Sequence, residues 1–135
     1  MSGPSIPAAL RRAIAQRAQG HCEYCLLLED DSLLPHEPDH IIAAQHGGGT
    51  ATDNLAFACF DCNRLKGPNL ASVDPDTGRV VPLFHPRYDR WAEHFCLQEA
   101  RIEPLTATGR ATAALLQFNS PERLRLRDAL RRAGR

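Results

Sequence analysis

The chain has 135 residues, 43% hydrophobic and 24% charged, with 16 basic and 16 acidic side chains and no net charge. This composition excludes a wholly disordered chain, and no run reaches the roughly 18 apolar residues of a membrane span. Zero net charge also excludes a global pull toward nucleic acid or membrane.

In chain order, Ser5-Ile6-Pro7 followed by Leu10, Ala13, Ile14 and Ala18 predicts a helix within residues 1–20, with Pro7 in its first turn and Gly20 as its stop. Residues 26–38 read as a loop broken by Pro35 and Pro38. A short strand is expected over 39–43, a flexible turn over His46-Gly47-Gly48-Gly49-Thr50, and a second strand over 55–58. Asn63-Arg64-Leu65-Lys66 reads as the start of a short helix ended by Gly67-Pro68. Further on, Asp74-Pro75-Asp76-Thr77-Gly78 is a turn, Val80 to Phe84 a strand, and Arg87 to Phe95 a helix with Tyr88, Trp91 and Phe95 on one side. Gln98 to Leu105 reads as extended and Thr108 to Phe118 as helical. Ser120-Pro121-Glu122 opens a last helix that Gly134 closes. Six Arg against Glu122 and Asp128 in residues 121–135 read as a solvated face. The length predicts a single domain over 1–135, with the extension 69–135 packed on what precedes it.

Five cysteines carry the strongest signal. Cys22 and Cys25 form one C-x-x-C pair, Cys59 and Cys62 another, and 33 residues separate the pairs. The opening Met1-Ser2-Gly3-Pro4-Ser5 has neither a positive nor an apolar leader region, so a reducing, cytoplasmic setting is expected. Paired C-x-x-C there reads as tetrahedral Zn2+. Four thiolates leave no open coordination position, which marks the site as structural rather than catalytic. Cys96, between Phe95 and Leu97, is expected to be a buried thiol.

Residues 22–67 then run Cys22-x-x-Cys25, Asp39-His40-Ile41-Ile42, Gly47-Gly48, Asn54-Leu55, Cys59-x-x-Cys62-Asn63 and Lys66-Gly67. This order and spacing resembles the HNH endonuclease family, in the branch that staples its ββα-metal module with four cysteines. The family's first histidine falls on His40, its asparagine on Asn54, and its final letter is filled by Asn63. The resemblance implies an α+β fold: a zinc-stapled ββα-metal module over 21–68, preceded by the N-terminal helix and followed by a mostly helical C-terminal extension. It implies a metal-dependent endonuclease that hydrolyses DNA phosphodiester bonds. His40 would be the general base, and Asp39 and Asn63 would hold one divalent cation, Mg2+ or Mn2+. Asn54 would pin the loop that Gly47 and Gly48 allow to turn, and would orient His40. Arg64, Lys66 and His46 are candidate phosphate contacts. The chemistry is coherent: hydrolysis needs an activated water and a cation on the phosphate, a neutral imidazole takes a proton near pH 7, and a carboxylate is a hard ligand for Mg2+.

Two decoys fall away. His36-Glu37-Pro38-Asp39-His40 fits the H-E-x-x-H zinc-protease string. That chemistry requires both histidines on one helix face, and Pro38 inside the string breaks a helix at about 3 kcal/mol. The zinc-deaminase pattern fails because proline precedes neither cysteine pair. The competing class is a zinc-stapled nucleic-acid-binding module without catalysis. Such a module has no need of Asp39, His40, Asn54 and Asn63 together.

Overall fold

A computed structural model describes residues 5–135, so the opening residues 1–4, read above for a leader, lie outside it. The chain divides into two compact units. One comprises residues 5–70 with 85–89, the other residues 71–84 with 90–135.

The first unit opens with α1, Ala8–Arg17. Pro7 is its N-cap rather than part of its first turn. The helix closes through Gln19, which adopts φ +53°, followed by Gly20 at φ +77°. The Gly20 N–H bonds to the Ala15 carbonyl and that of Gln19 to Gln16, the pairing of a Schellman cap. Ile14 carries the buried face onto Leu55 and Phe57.

The strand expected at 39–43 lies two residues earlier, as β1, Glu37–His40. It pairs antiparallel with β2, Leu55–Ala58, the span the sequence predicts, in the register Pro38↔Phe57, Asp39↔Ala56 and His40↔Leu55. Proline is tolerated inside β1 for a specific reason. The Phe57 N–H donates to the Glu23 carboxylate and its carbonyl accepts from the Glu23 N–H. Pro38 and Phe57 are thus a pair that exchanges no ladder bonds, and the missing N–H costs nothing.

The short helix α2 spans Phe60–Lys66. It begins inside the second knuckle, directly after Cys59, because the Cys59 sulfur is its N-cap, accepting from the Cys62 N–H. Asn63 therefore sits mid-helix, and the expectation that the helix starts there is corrected.

In the second unit, β3, Ala71–Val73, and β4, Val80–Pro82, form a hairpin around the predicted turn. Buried Asp74 holds that turn together. Its carboxylate accepts from the Asp76 N–H and the Thr77 hydroxyl, and takes a two-point bond from Arg110 at 2.9 Å on each oxygen.

The helix expected over 87–95 shrinks to α3, Trp91–His94. Phe95 instead opens β5, Phe95–Gln98, which pairs with β6, Arg101–Pro104, so the segment expected to be extended is half of a hairpin. Tyr88 is 77% exposed and stacked on His85, so it shares no apolar stripe with Phe95. Cys96 alternates onto the less covered side of β5 and is half-buried rather than buried.

α4, Ala107–Leu115, and α5, Pro121–Arg132, complete the unit. Ser120 caps α5 as expected, accepting from the Arg123 N–H. Two arginines of α5 turn inward rather than to solvent. Arg123 donates to the Leu116 carbonyl, and Arg127 to those of Ala100 and Phe118. The architecture is α+β, with short antiparallel strand pairs and five α-helices among the described residues. None of these helices is long and apolar enough to cross a membrane.

Candidate metal and phosphodiester site

The two knuckles converge as their spacing predicts. All four sulfurs of Cys22, Cys25, Cys59 and Cys62 are buried and lie within 4.8 Å of one another. A tetrahedral zinc with bonds of about 2.3 Å separates its sulfurs by about 3.8 Å. Cys25 Sγ and Cys59 Sγ stand 3.7 Å apart. Each knuckle also turns a backbone N–H onto its own first sulfur, Cys25 onto Cys22 and Cys62 onto Cys59. Leu26 completes the first knuckle at φ +70°. Burial pushes the Cys22 and Cys62 thiols well up, while a hydrogen bond from Cys22 brings Cys59 down to about 7. The donor set and its geometry fit structural zinc.

From this anchor the first knuckle reaches β1. Tyr24, inside the knuckle, donates its hydroxyl to Asp39 Oδ2 at 3.1 Å. Burial, then the charge of Asp39, holds the Tyr24 phenol well above its ordinary value, so it stays a donor. Glu23, next to it, ties Phe57 and also pairs with Arg87. Neither position carries a pattern by which the sequence could single it out.

Asp39 is buried, and burial pushes its carboxyl up against the opposing pull of Lys66. Lys66 corrects an expectation. Its side chain is 2% exposed, and its Nζ lies 3.4 Å from Asp39 Oδ2 while donating to the Ile41 carbonyl at 3.0 Å. The carbonyls of His40 and Gly67 complete the cage at 3.4 and 3.5 Å. An ammonium enclosed in this way is not available to an external phosphate. It fastens the end of β1 to α2 instead.

Asp39 Oδ1 has no hydrogen-bond partner among the described residues, and neither has the Asn63 side-chain amide. Asn63 precedes Lys66 by three residues and so shares its helix face, the face that meets Asp39. A carboxylate oxygen and an amide oxygen are hard donors of the type that suits Mg2+ or Mn2+, and Asp39 and Asn63 supply one of each.

His40 follows Asp39 on the opposite face of β1, as strand alternation requires. It is half-buried, and its Nε2 lies 3.0 Å from Thr50 Oγ1. Asn54 closes the intervening loop. Its Oδ1 accepts from the Ile42 N–H at 2.9 Å, and its Nδ2 donates to the carbonyls of Ile42 and Gly49 at 2.9 and 2.8 Å. Gly48 lies under this lock. A Cβ there would stand 1.7 Å from the Ile42 oxygen and 2.8 Å from Asn54 Nδ2, so only glycine fits. Gly47, at φ +90°, ends the preceding turn.

The other candidates lie further out. His46 is exposed in that turn. Arg64 is exposed on α2, its guanidinium over the Phe60 ring and 3.4 Å from Asp61. His36, read as a loop residue, is 3% exposed, bonds the Leu27 carbonyl through Nε2 at 2.8 Å and packs on Phe57. That inward position takes it out of any zincin arrangement with His40.

No curated protein and no solved structure matches this chain. The stretch from the first knuckle to just past α2, residues 22–69, matches the family model described as HNH endonuclease.

Proposed function

We propose that the chain is a metal-dependent endonuclease acting on DNA phosphodiester bonds, with His40 as general base. One observation carries this reading. A half-buried imidazole, tied through Nε2 to Thr50, directly follows in the chain a carboxylate whose Oδ1 has no hydrogen-bond partner among the described residues. The free ring nitrogen takes a proton from water. The resulting hydroxide attacks phosphorus to form a new P–O bond, a backbone P–O bond breaks, and the leaving alkoxide takes a proton from water. A divalent cation on Asp39 and Asn63 would neutralise charge on the scissile phosphate. Asn54 holds the loop facing His40 in place. Arg64 and His46, both exposed, are the side chains available to steady the phosphate. The zinc is assigned to structure and no chemical step.

Plasmid cleavage with and without Mg2+ or Mn2+ tests the reading. His40→Ala is expected to lower the rate by roughly a hundredfold or more with zinc content unchanged. Equal cleavage by His40→Ala would place the base elsewhere. DNA retention without cleavage, with or without a metal, would favour the non-catalytic zinc-stapled binding module.

A further inference from the structure

The loop that faces His40 contains a side chain for which the proposed function has so far no use. Thr50 closes the glycine run, is half-buried, and places Oγ1 3.0 Å from His40 Nε2. The hydroxyl does not reach this point by chance of an open loop. Its neighbour Gly49 is anchored through its carbonyl to Asn54 Nδ2, and Asn54 is itself locked to Ile42 on both backbone atoms. At Gly48 the loop passes so close to Ile42 that a Cβ would stand 1.7 Å from the Ile42 oxygen. Asn54 thus acts on His40 at one remove, by fixing the backbone on which Thr50 stands.

We propose that Thr50 is a positioning residue, which accepts the Nε2–H of His40 and so fixes the imidazole in the tautomer whose Nδ1 lone pair faces water. The inference rests on the general-base role given to His40 above. An imidazole offers one lone pair when neutral, and the nitrogen that serves as base must carry it. Nε2 is committed to the loop, while Nδ1 has no partner among the described residues. Only the Nε2–H form leaves a base where substrate can meet it. The ring's two nitrogens are distinguished by the hydrogen bond that one of them makes, and here that bond comes from a side-chain hydroxyl.

The test combines tautomer and rate on the zinc-loaded full chain. The 15N signals of the imidazole nitrogens, recorded at about pH 8.5 where an ordinary imidazole is neutral, report which nitrogen carries the proton. Comparison with His40→Ala assigns His40 among the six histidines. The Nε2–H tautomer is expected, and a dominant Nδ1–H form overturns the proposal. Thr50→Val keeps the shape and removes the hydroxyl. It is expected to mix the tautomers and lower plasmid cleavage about 10- to 100-fold, whereas Thr50→Ser retains both properties. Parental cleavage by Thr50→Val overturns the proposal, as does a folded Thr50→Ser that cuts as poorly as the valine variant. Should Thr50→Val fail to fold, the serine variant and the tautomer of the unaltered chain decide. An unaltered chain that cuts no DNA counts against the nuclease reading alone, because the tautomer still reports the Thr50 contact.

Discussion

The two units reach a folded interior by different means. The first uses much of its interior for polar groups: Asp39 against Lys66 and Tyr24, His36 on a carbonyl, and four sulfurs. Its apolar cluster is small, with Ile14, Leu55 and Phe57 at its centre. The second unit's interior is mainly apolar, with Asp74 and Thr112 as its buried polar side chains. Phe95 meets Phe84 and Phe118 edge-on at centroid distances of 5.5 and 5.4 Å, and Ile102 and Leu116 are fully buried. Edge-on aromatic packing adds to the burial of large rings, so such an interior is stable through packing alone. An interior of buried charge and thiols has no comparable source of stability. A metal held by the four sulfurs would cross-link this unit where its apolar cluster is small.

The largest effect that separates the two follows from removing the metal ligand set. Cys59→Ser, or chelation, is expected to unfold the first unit. Structural zinc contributes on the order of 10–16 kcal/mol in small peptides, against about 5–15 kcal/mol for a whole domain. Amide exchange should show loss of protection across residues 22–66, and zinc retention should weaken as pH falls because the thiols must lose their protons to bind. Unchanged melting of Cys59→Ser breaks the comparison outright.

The second unit has the converse weak point. Phe118 is fully buried, and Phe118→Ala is expected to cost about 3–5 kcal/mol through lost burial and the cavity left behind. Chemical denaturation measures this, and zinc content should not change. A cost below about 1 kcal/mol, typical of surface positions, would mean that the aromatic cluster is not what stabilises this unit.

The smallest expected effect concerns the one buried carboxylate of the second unit. The bonds from Arg110 hold Asp74 below the ordinary carboxylate range. The folded state therefore binds this proton more weakly than the unfolded chain does. The stabilisation is present above about pH 4 and fades as pH falls through the lower folded value. Asp74→Asn should melt below the parent at neutral pH, and the two curves should converge in acid. A gap that stays constant with pH would assign the contribution to hydrogen bonding without charge.

Much of the first unit was legible from local signals. The cysteine spacing states how many thiolates meet and how far apart the knuckles stand, and the sulfurs converge accordingly. The strand at Leu55–Ala58 was read from the residues themselves, whereas the loop-pinning role of Asn54 and the turn at Gly47 and Gly48 were what the family resemblance implied; each depends on neighbours close in sequence or on one backbone approach. The start of α2 was misplaced because a cysteine is not an ordinary helix cap. Its sulfur becomes one only when the knuckle closes. Beyond residue 70 the reading was weaker. The stretch 87–95 has helical spacing, but Phe95 is drawn into a hairpin with residues 101–104, a pairing that period alone cannot reveal.

What the amino-acid order determined by itself was the chemistry available: four sulfurs in two pairs, an aspartate beside a histidine, and two asparagines at fixed offsets. These depend on residue type and short-range geometry. What only the tertiary structure decided was which way each group faces. Lys66 turns inward onto Asp39, Arg123 and Arg127 turn onto carbonyls, and Thr50 meets His40. A long or polar side chain takes its partner from whatever packing brings near, and that packing is set by the whole chain at once.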